Sequence, residues 1–204
     1  MLKLSHIGEN LFAEMVNRSS EVRSFLSERL SLSIACSDSL NAVAEVPLSR
    51  CAGLKFDGAH KIDVALLAME PGACLAIELK LGTSGMGRKT FENRFLKPCT
   101  TSHREKRVAG SMISVLEGKL PAIYASSKVM ANKNGSELAL HEYWGLVVRK
   151  PVADAWSNGE RPALSGRCSI IVFEEVVGAF GGKESFNVLV QELLEHDYFE
   201  QCDN

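Results

Sequence analysis

At 204 residues, with 46% apolar and 24% charged residues and a formal net charge of −2, the chain has the make-up of an ordinary globular protein with one core. That balance excludes a protein whose whole surface coats nucleic acid, though not a local basic groove. No low-complexity tract, internal repeat or run of apolar residues of membrane-spanning length is present.

The opening MLKLSHIGENLFAEM lacks a continuous apolar run, so no signal peptide is expected and a cytoplasmic location is. The cysteines are scattered, without zinc spacing, and read as free thiols. From Ile7 to Leu30 the apolar residues Leu11, Met15, Val22, Phe25, Leu26 and Leu30 recur at helical period and predict one helix. A polar connection leads to a strand at Leu40–Leu48 and then to a turn or loop around Gly53 and Gly58.

Two strong strands follow, Lys61–Met69 (KIDVALLAM) and Cys74–Leu81 (CLAIELKL), joined at Pro71-Gly72, the pair a tight turn favours. Gly82 to Ser102 reads as a long loop and His103 to Glu117 as a helix. Leu120 to Glu142 carries a turn at Asn132–Gly135 and little other signal. Tyr143–Arg149 and Ser169–Val177 read as strands separated by a polar loop, and Glu184–Phe199 as a final amphipathic helix. The expected architecture is α/β: a single mixed sheet flanked by helices, in one domain whose core spans about 7–150, with an extension over about 151–204.

Side chains alternate across a strand, so Glu78 and Lys80 share a face, and Asp63 shares one with Ala65 and Leu67. A hairpin centred on Pro71-Gly72 would set Asp63 opposite Lys80 and Ala65 opposite Glu78. Two acids and an amine would then meet on one face. Asp63 interrupts an otherwise apolar run, where an acid is costly without a partner or metal. Two carboxylates suit Mg2+ or Mn2+, and an ammonium beside them can orient water and offset charge growing on a phosphate. Asp63 and Glu78 are thus candidate catalytic and metal-binding residues, and Lys80 the candidate for positioning the nucleophile. The competing reading is an amphipathic strand whose Glu78 and Lys80 face water.

Ile62-Asp63 followed by Ile77-Glu78-Leu79-Lys80 resembles the PD-(D/E)XK nuclease superfamily, whose core runs helix, three strands, helix, strand. The resemblance implies a restriction-endonuclease-like core and a divalent-metal-dependent nuclease acting on DNA. It implies metal ligation by Asp63, Glu78 and the Leu79 carbonyl. It also implies an acid from the first helix, for which Glu14 is the first candidate and Glu9 the second. The sequence departs from the pattern in having Ile62 where the family name carries proline.

Gly82-Thr-Ser-Gly-Met-Gly87-Arg88-Lys89-Thr90 nearly spells a phosphate-binding loop, but Arg88 puts the lysine out of register. Arg88, Lys89, Arg94, His103, Arg104 and Arg107 instead suggest a basic flap for phosphates beside Lys80. Nucleic acid, DNA first, is the expected partner. A homodimer through 168–177 or the last helix is a further expectation. The alternatives are a non-catalytic nucleic-acid- or protein-binding module on the same scaffold, and a nucleotide-binding protein using Gly82–Thr90.

Overall fold

The computed structural model describes residues 4–30, 40–51, 55–56, 61–67, 73–102, 107–118, 123–125 and 138–200. The N-terminal helical pattern is split in two, α1 (Leu4–Arg18) and α2 (Ser20–Arg29). Ser19 is extended between them, and its hydroxyl accepts the Val22 N–H at 3.2 Å, so an N-cap interrupts an otherwise continuous periodicity. Strands β1 (Asn41–Cys51), β2 (Lys55–Phe56), β3 (Lys61–Leu67) and β4 (Ala73–Lys80) follow.

The expected loop and helix of 82–117 resolve differently. They form helix α3 (Arg88–Phe95), strands β5 (Thr100–Ser102) and β6 (Arg107–Ala109), and a short helix α4 (Met112–Glu117). Charges surround Phe91 and Phe95, one turn apart, and hide the apolar side of α3 from a periodicity count. The helix expected from His103 starts only at Ser111, whose hydroxyl caps it by accepting the Ser114 N–H.

Strands β7 (Ile123–Ala125) and β8 (Leu138–Val148) precede α5 (Lys150–Ala155) and a wider turn at Trp156–Glu160, within what was expected to be a loop. The expected strand at Ser169–Val177 stops early: β9 (Cys168–Val172) gives way to α6 (Phe173–Ala179). The β-branched FEEVV run favours a strand locally. Its Glu174, in the first turn of α6, accepts the Lys150 N–H at 2.7 Å and the Arg149 guanidinium, and these contacts favour the helix. The last helix, α7, spans Gly182–Glu200.

The main sheet is mixed and runs β4-β3-β1-β7-β8-β9, with a further parallel pairing of β4 to β8. A second, three-stranded sheet orders β2-β6-β5, so the expectation of one sheet holds only for the main one. Strand β9, beyond residue 151, continues the main sheet by pairing with β8. Strand β4 is interior, flanked by antiparallel β3 and parallel β8. Leu75, Ile77 and Leu79 pack on one face, beneath Phe12, Met15 and Leu26 of α1 and α2. Cys74 and Ala76 pack on the other, with Phe91, Ile113 and Trp156 from α3, α4 and the turn after α5. The result is helices on both faces of the sheet. No helix among the described residues is long and apolar enough to cross a membrane.

Gly145 on β8 leaves room for the side chains of its two neighbouring strands, β4 and β9. A Cβ there would lie 2.5 Å from Ile77 Cδ1 and 3.0 Å from Ile171 Cδ1. Gly145→Ala is expected to destabilise the chain by about 1–3 kcal/mol through overpacking, read as a lower urea midpoint at unchanged m-value.

Candidate active site

The hairpin register differs from the sequence expectation. Leu67 pairs with Cys74 and Val64 with Ile77, so Asp63 comes abreast of Glu78 rather than Lys80, and Ala65 opposes Ala76 rather than Glu78. This register is not the one expected from a tight turn centred on Pro71-Gly72; residues 68–72 themselves lie outside the described residues. The shift is by an even number of residues, so each side chain keeps its face and the three charges still meet.

At this level β3 and β4 part, and side chains replace the ladder. The Asp63 carboxylate accepts the Leu79 N–H through Oδ2 at 2.7 Å, while the Asp63 N–H points to Glu78 Oε1 at 3.4 Å. Lys80 Nζ then closes the cluster. It donates to Asp63 Oδ2 at 2.9 Å, to Glu78 Oε2 at 3.0 Å and to the Leu79 carbonyl at 3.1 Å. Two carboxylate oxygens and one carbonyl thus surround a single cationic atom.

The setting is dry. Glu78 is 2% exposed, Asp63 18% and Lys80 20%. Burial, then repulsion from Asp63, pushes the Glu78 carboxyl up to about 8, against the pull of Lys80. Burial draws the Lys80 ammonium down, but attraction to Glu78 and Asp63 outweighs it and the net shift is upward. Glu78 is short of positive charge even with the lysine beside it.

The first-helix acid must be corrected. Glu14 does not join the cluster; it forms an ion pair with Arg18 at 2.8 Å, and Arg18 also holds Glu192 at 2.6 Å. Glu9 is the acid of α1 that senses the site. Its carboxyl is pushed up to about 7 by burial first, then by repulsion from Asp63 and Glu45, with Lys80 and Lys61 opposing. Arg18, one turn after Glu14, was the available sequence signal, because acid and base four apart on a helix pair with each other. Glu45 is a further acid whose charge acts on Glu9. It sits on β1 with φ of 54°, the only non-glycine residue with positive φ among those described, and lies 3.4 Å from Lys61 Nζ.

The expected basic flap is only partly assembled. Arg88 pairs with Glu92 on its own helix at 3.2 Å, Lys89 is exposed, and the Arg94 guanidinium lies over the Phe95 ring at 5.0 Å. His103 and Arg104 lie outside the described residues, and for Arg107 only the backbone, paired with Lys55 and Ser102, is described. In the glycine-rich segment after β4, Met86 is buried and its carbonyl accepts the Trp156 indole N–H at 2.8 Å. Among the described residues, no three His, Cys, Asp or Glu side chains form a group that could hold a metal ion; the convergence at Lys80 has two such side chains and a carbonyl. The chain matches no family model, no curated protein and no solved structure.

Proposed function

We propose that the chain is a divalent-metal-dependent nuclease that hydrolyses phosphodiester bonds of DNA, with its centre at Asp63, Glu78 and Lys80. One observation carries the reading: Asp63 Oδ2, Glu78 Oε2 and the Leu79 carbonyl all lie 2.9–3.1 Å from Lys80 Nζ. These are hard oxygen donors of the kind Mg2+ or Mn2+ takes, aimed at a point where positive charge is already held. Burial and mutual repulsion leave the carboxyls of Glu78 and Glu9 raised despite the lysine, so the site favours added positive charge. A divalent cation supplies that charge, polarises a phosphoryl oxygen and acidifies water. The order of α1, β1, β3, β4, α4 and β8, with β8 parallel to β4, supports the resemblance to the PD-(D/E)XK core.

In this reading Asp63, Glu78 and the Leu79 carbonyl hold the cation. Lys80, displaced from their oxygens, orients the attacking water and offsets charge on the phosphate. Glu9, with its carboxyl near 7, accepts a proton at the edge of the site. Arg94 and Lys89, on the helix that follows β4, contact neighbouring phosphates. The test is cleavage of duplex, single-stranded and branched DNA with Mg2+ or Mn2+. Wild type should cut at least one form, and Asp63→Ala and Lys80→Ala should each lose about 100-fold or more. Activity untouched by both changes would sink the assignment.

A second reading, a non-catalytic binding module, draws on Lys80 already pairing with both carboxylates. DNA binding that ignores divalent ions and never leads to cleavage would favour it. The two acids of α1 separate sharply in an active nuclease. Glu9→Gln should lower kcat about tenfold or more, and Glu14→Gln should stay within about twofold, because Glu9 feels the charges of Asp63 and Lys80 while Glu14 is paired with Arg18.

A further inference from the structure

The Lys80 ammonium has an aromatic neighbour as well as its oxygens. Nζ lies 5.9 Å from the centre of the Phe95 ring, within reach of a cation–π contact. That ring belongs to a held stack. Phe91 tilts against it at 4.9 Å, Trp156 meets Phe91 edge-on at 5.2 Å, and the Trp156 indole N–H is anchored on the Met86 carbonyl. From the other side, the Phe95 carbonyl accepts the hydroxyl of Ser111, the cap of α4. The Phe91 ring and the hydrogen bond from Ser111 to the main-chain carbonyl thus hold Phe95 at the end of α3.

We propose that Phe95 is a positioning residue for Lys80: its ring face is the seat that keeps the ammonium at the site once a divalent cation takes the oxygens of Asp63 and Glu78. This deepens, and rests on, the metal-dependent reading above. All three of the contacts that Lys80 now makes to oxygen are to atoms that the cation would claim. A largely buried ammonium deprived of them and repelled by a dication must find another partner or leave for water. The electron-rich ring of Phe95, which also carries the Arg94 guanidinium at 5.0 Å, is a partner already in place. It offers attraction without competing for the metal, and a desolvated cation–π contact is strong enough to hold a lysine. An ammonium seated there stays within reach of an attacking water.

The test replaces Phe95 with 3,4,5-trifluorophenylalanine, which keeps the ring's shape but strips its negative face, with Phe95→Leu as a second variant. In the full chain labelled with 15N-lysine, with MgCl2 alone present, the Lys80 ammonium protons of the trifluoro variant should exchange with water about tenfold faster than in wild type. With DNA substrate, kcat should fall by about three- to tenfold while KM stays within about twofold. A role in packing alone predicts wild-type values for the trifluoro variant and losses only for Phe95→Leu. Wild-type exchange in the trifluoro variant overturns the proposal, as does faster exchange with kcat unchanged. If the wild-type chain cleaves nothing, the exchange measurement still decides the role of Phe95, and the nuclease reading fails separately.

Discussion

Lys80→Ala is expected to bind Mg2+ or Mn2+ more tightly than wild type while cleaving DNA at least about 100-fold more slowly. The two effects run in opposite directions because the ammonium and the metal use the same three oxygens. Removing the lysine removes a competitor for the cation and, at the same time, the group that orients water. Stability separates the two states of the site further. Without metal, the variant leaves Glu78, 2% exposed, beside Asp63 with no ammonium. Breaking a buried pair in this way costs about 3–5 kcal/mol, less whatever Glu78 recovers by taking up a proton. Saturating MgCl2 should return much of that loss, since a ligand bound only to the folded chain stabilises it by mass action. Calorimetric titration with MgCl2, and thermal unfolding with and without it, measure both. Unchanged metal affinity in Lys80→Ala would mean that the lysine and the cation do not share a site.

Glu78→Gln should abolish divalent-ion binding, lower cleavage about 100-fold or more, and flatten a pH dependence of stability that the wild-type chain carries. Its carboxyl, pushed up from 4.5 to about 8, holds its proton more tightly in the folded than in the unfolded chain. The resulting stability is fully present below about pH 4.5 and is lost as pH rises through about 8. Metal-free wild type should therefore weaken as pH rises between those limits, and Glu78→Gln should not. Metal binding must displace the same proton. Wild-type affinity for Mg2+ should accordingly rise about tenfold per pH unit from pH 6 to 8 and level off above. Urea unfolding across pH, paired with titrations of MgCl2 at each pH, checks both trends.

The face that carries this site was legible in the sequence; its register and its helical neighbours were not. Alternation in CLAIELKL puts Glu78 and Lys80 together whatever they pair with, and an aspartate inside IDVALL stands out in an otherwise apolar run. Both follow from local geometry. A Pro-Gly pair favours a turn without fixing its centre, so it does not fix the register in which β3 and β4 pair. Glu9 was passed over for Glu14 because both lie on α1, and only the packing of that helix on β1 and β3 decides which end meets the gap between β3 and β4. Glu45 looked like any strand acid, since a positive φ leaves no mark in composition. Helix α3 was read as loop because its apolar side is little more than Phe91 and Phe95. The FEEVV run, Phe173–Val177, formed a helix where its residues favour a strand, through tertiary contacts to Arg149 and Lys150.

The most direct measurement of the central claim is a crystal structure with Mn2+ soaked in, read by anomalous scattering. The expected result is one ion about 2.1 Å from Asp63 Oδ2, Glu78 Oε2 and the Leu79 carbonyl, with Lys80 Nζ moved off those oxygens toward Phe95. No anomalous peak at saturating Mn2+, with Nζ still bonded to both carboxylates, would contradict it.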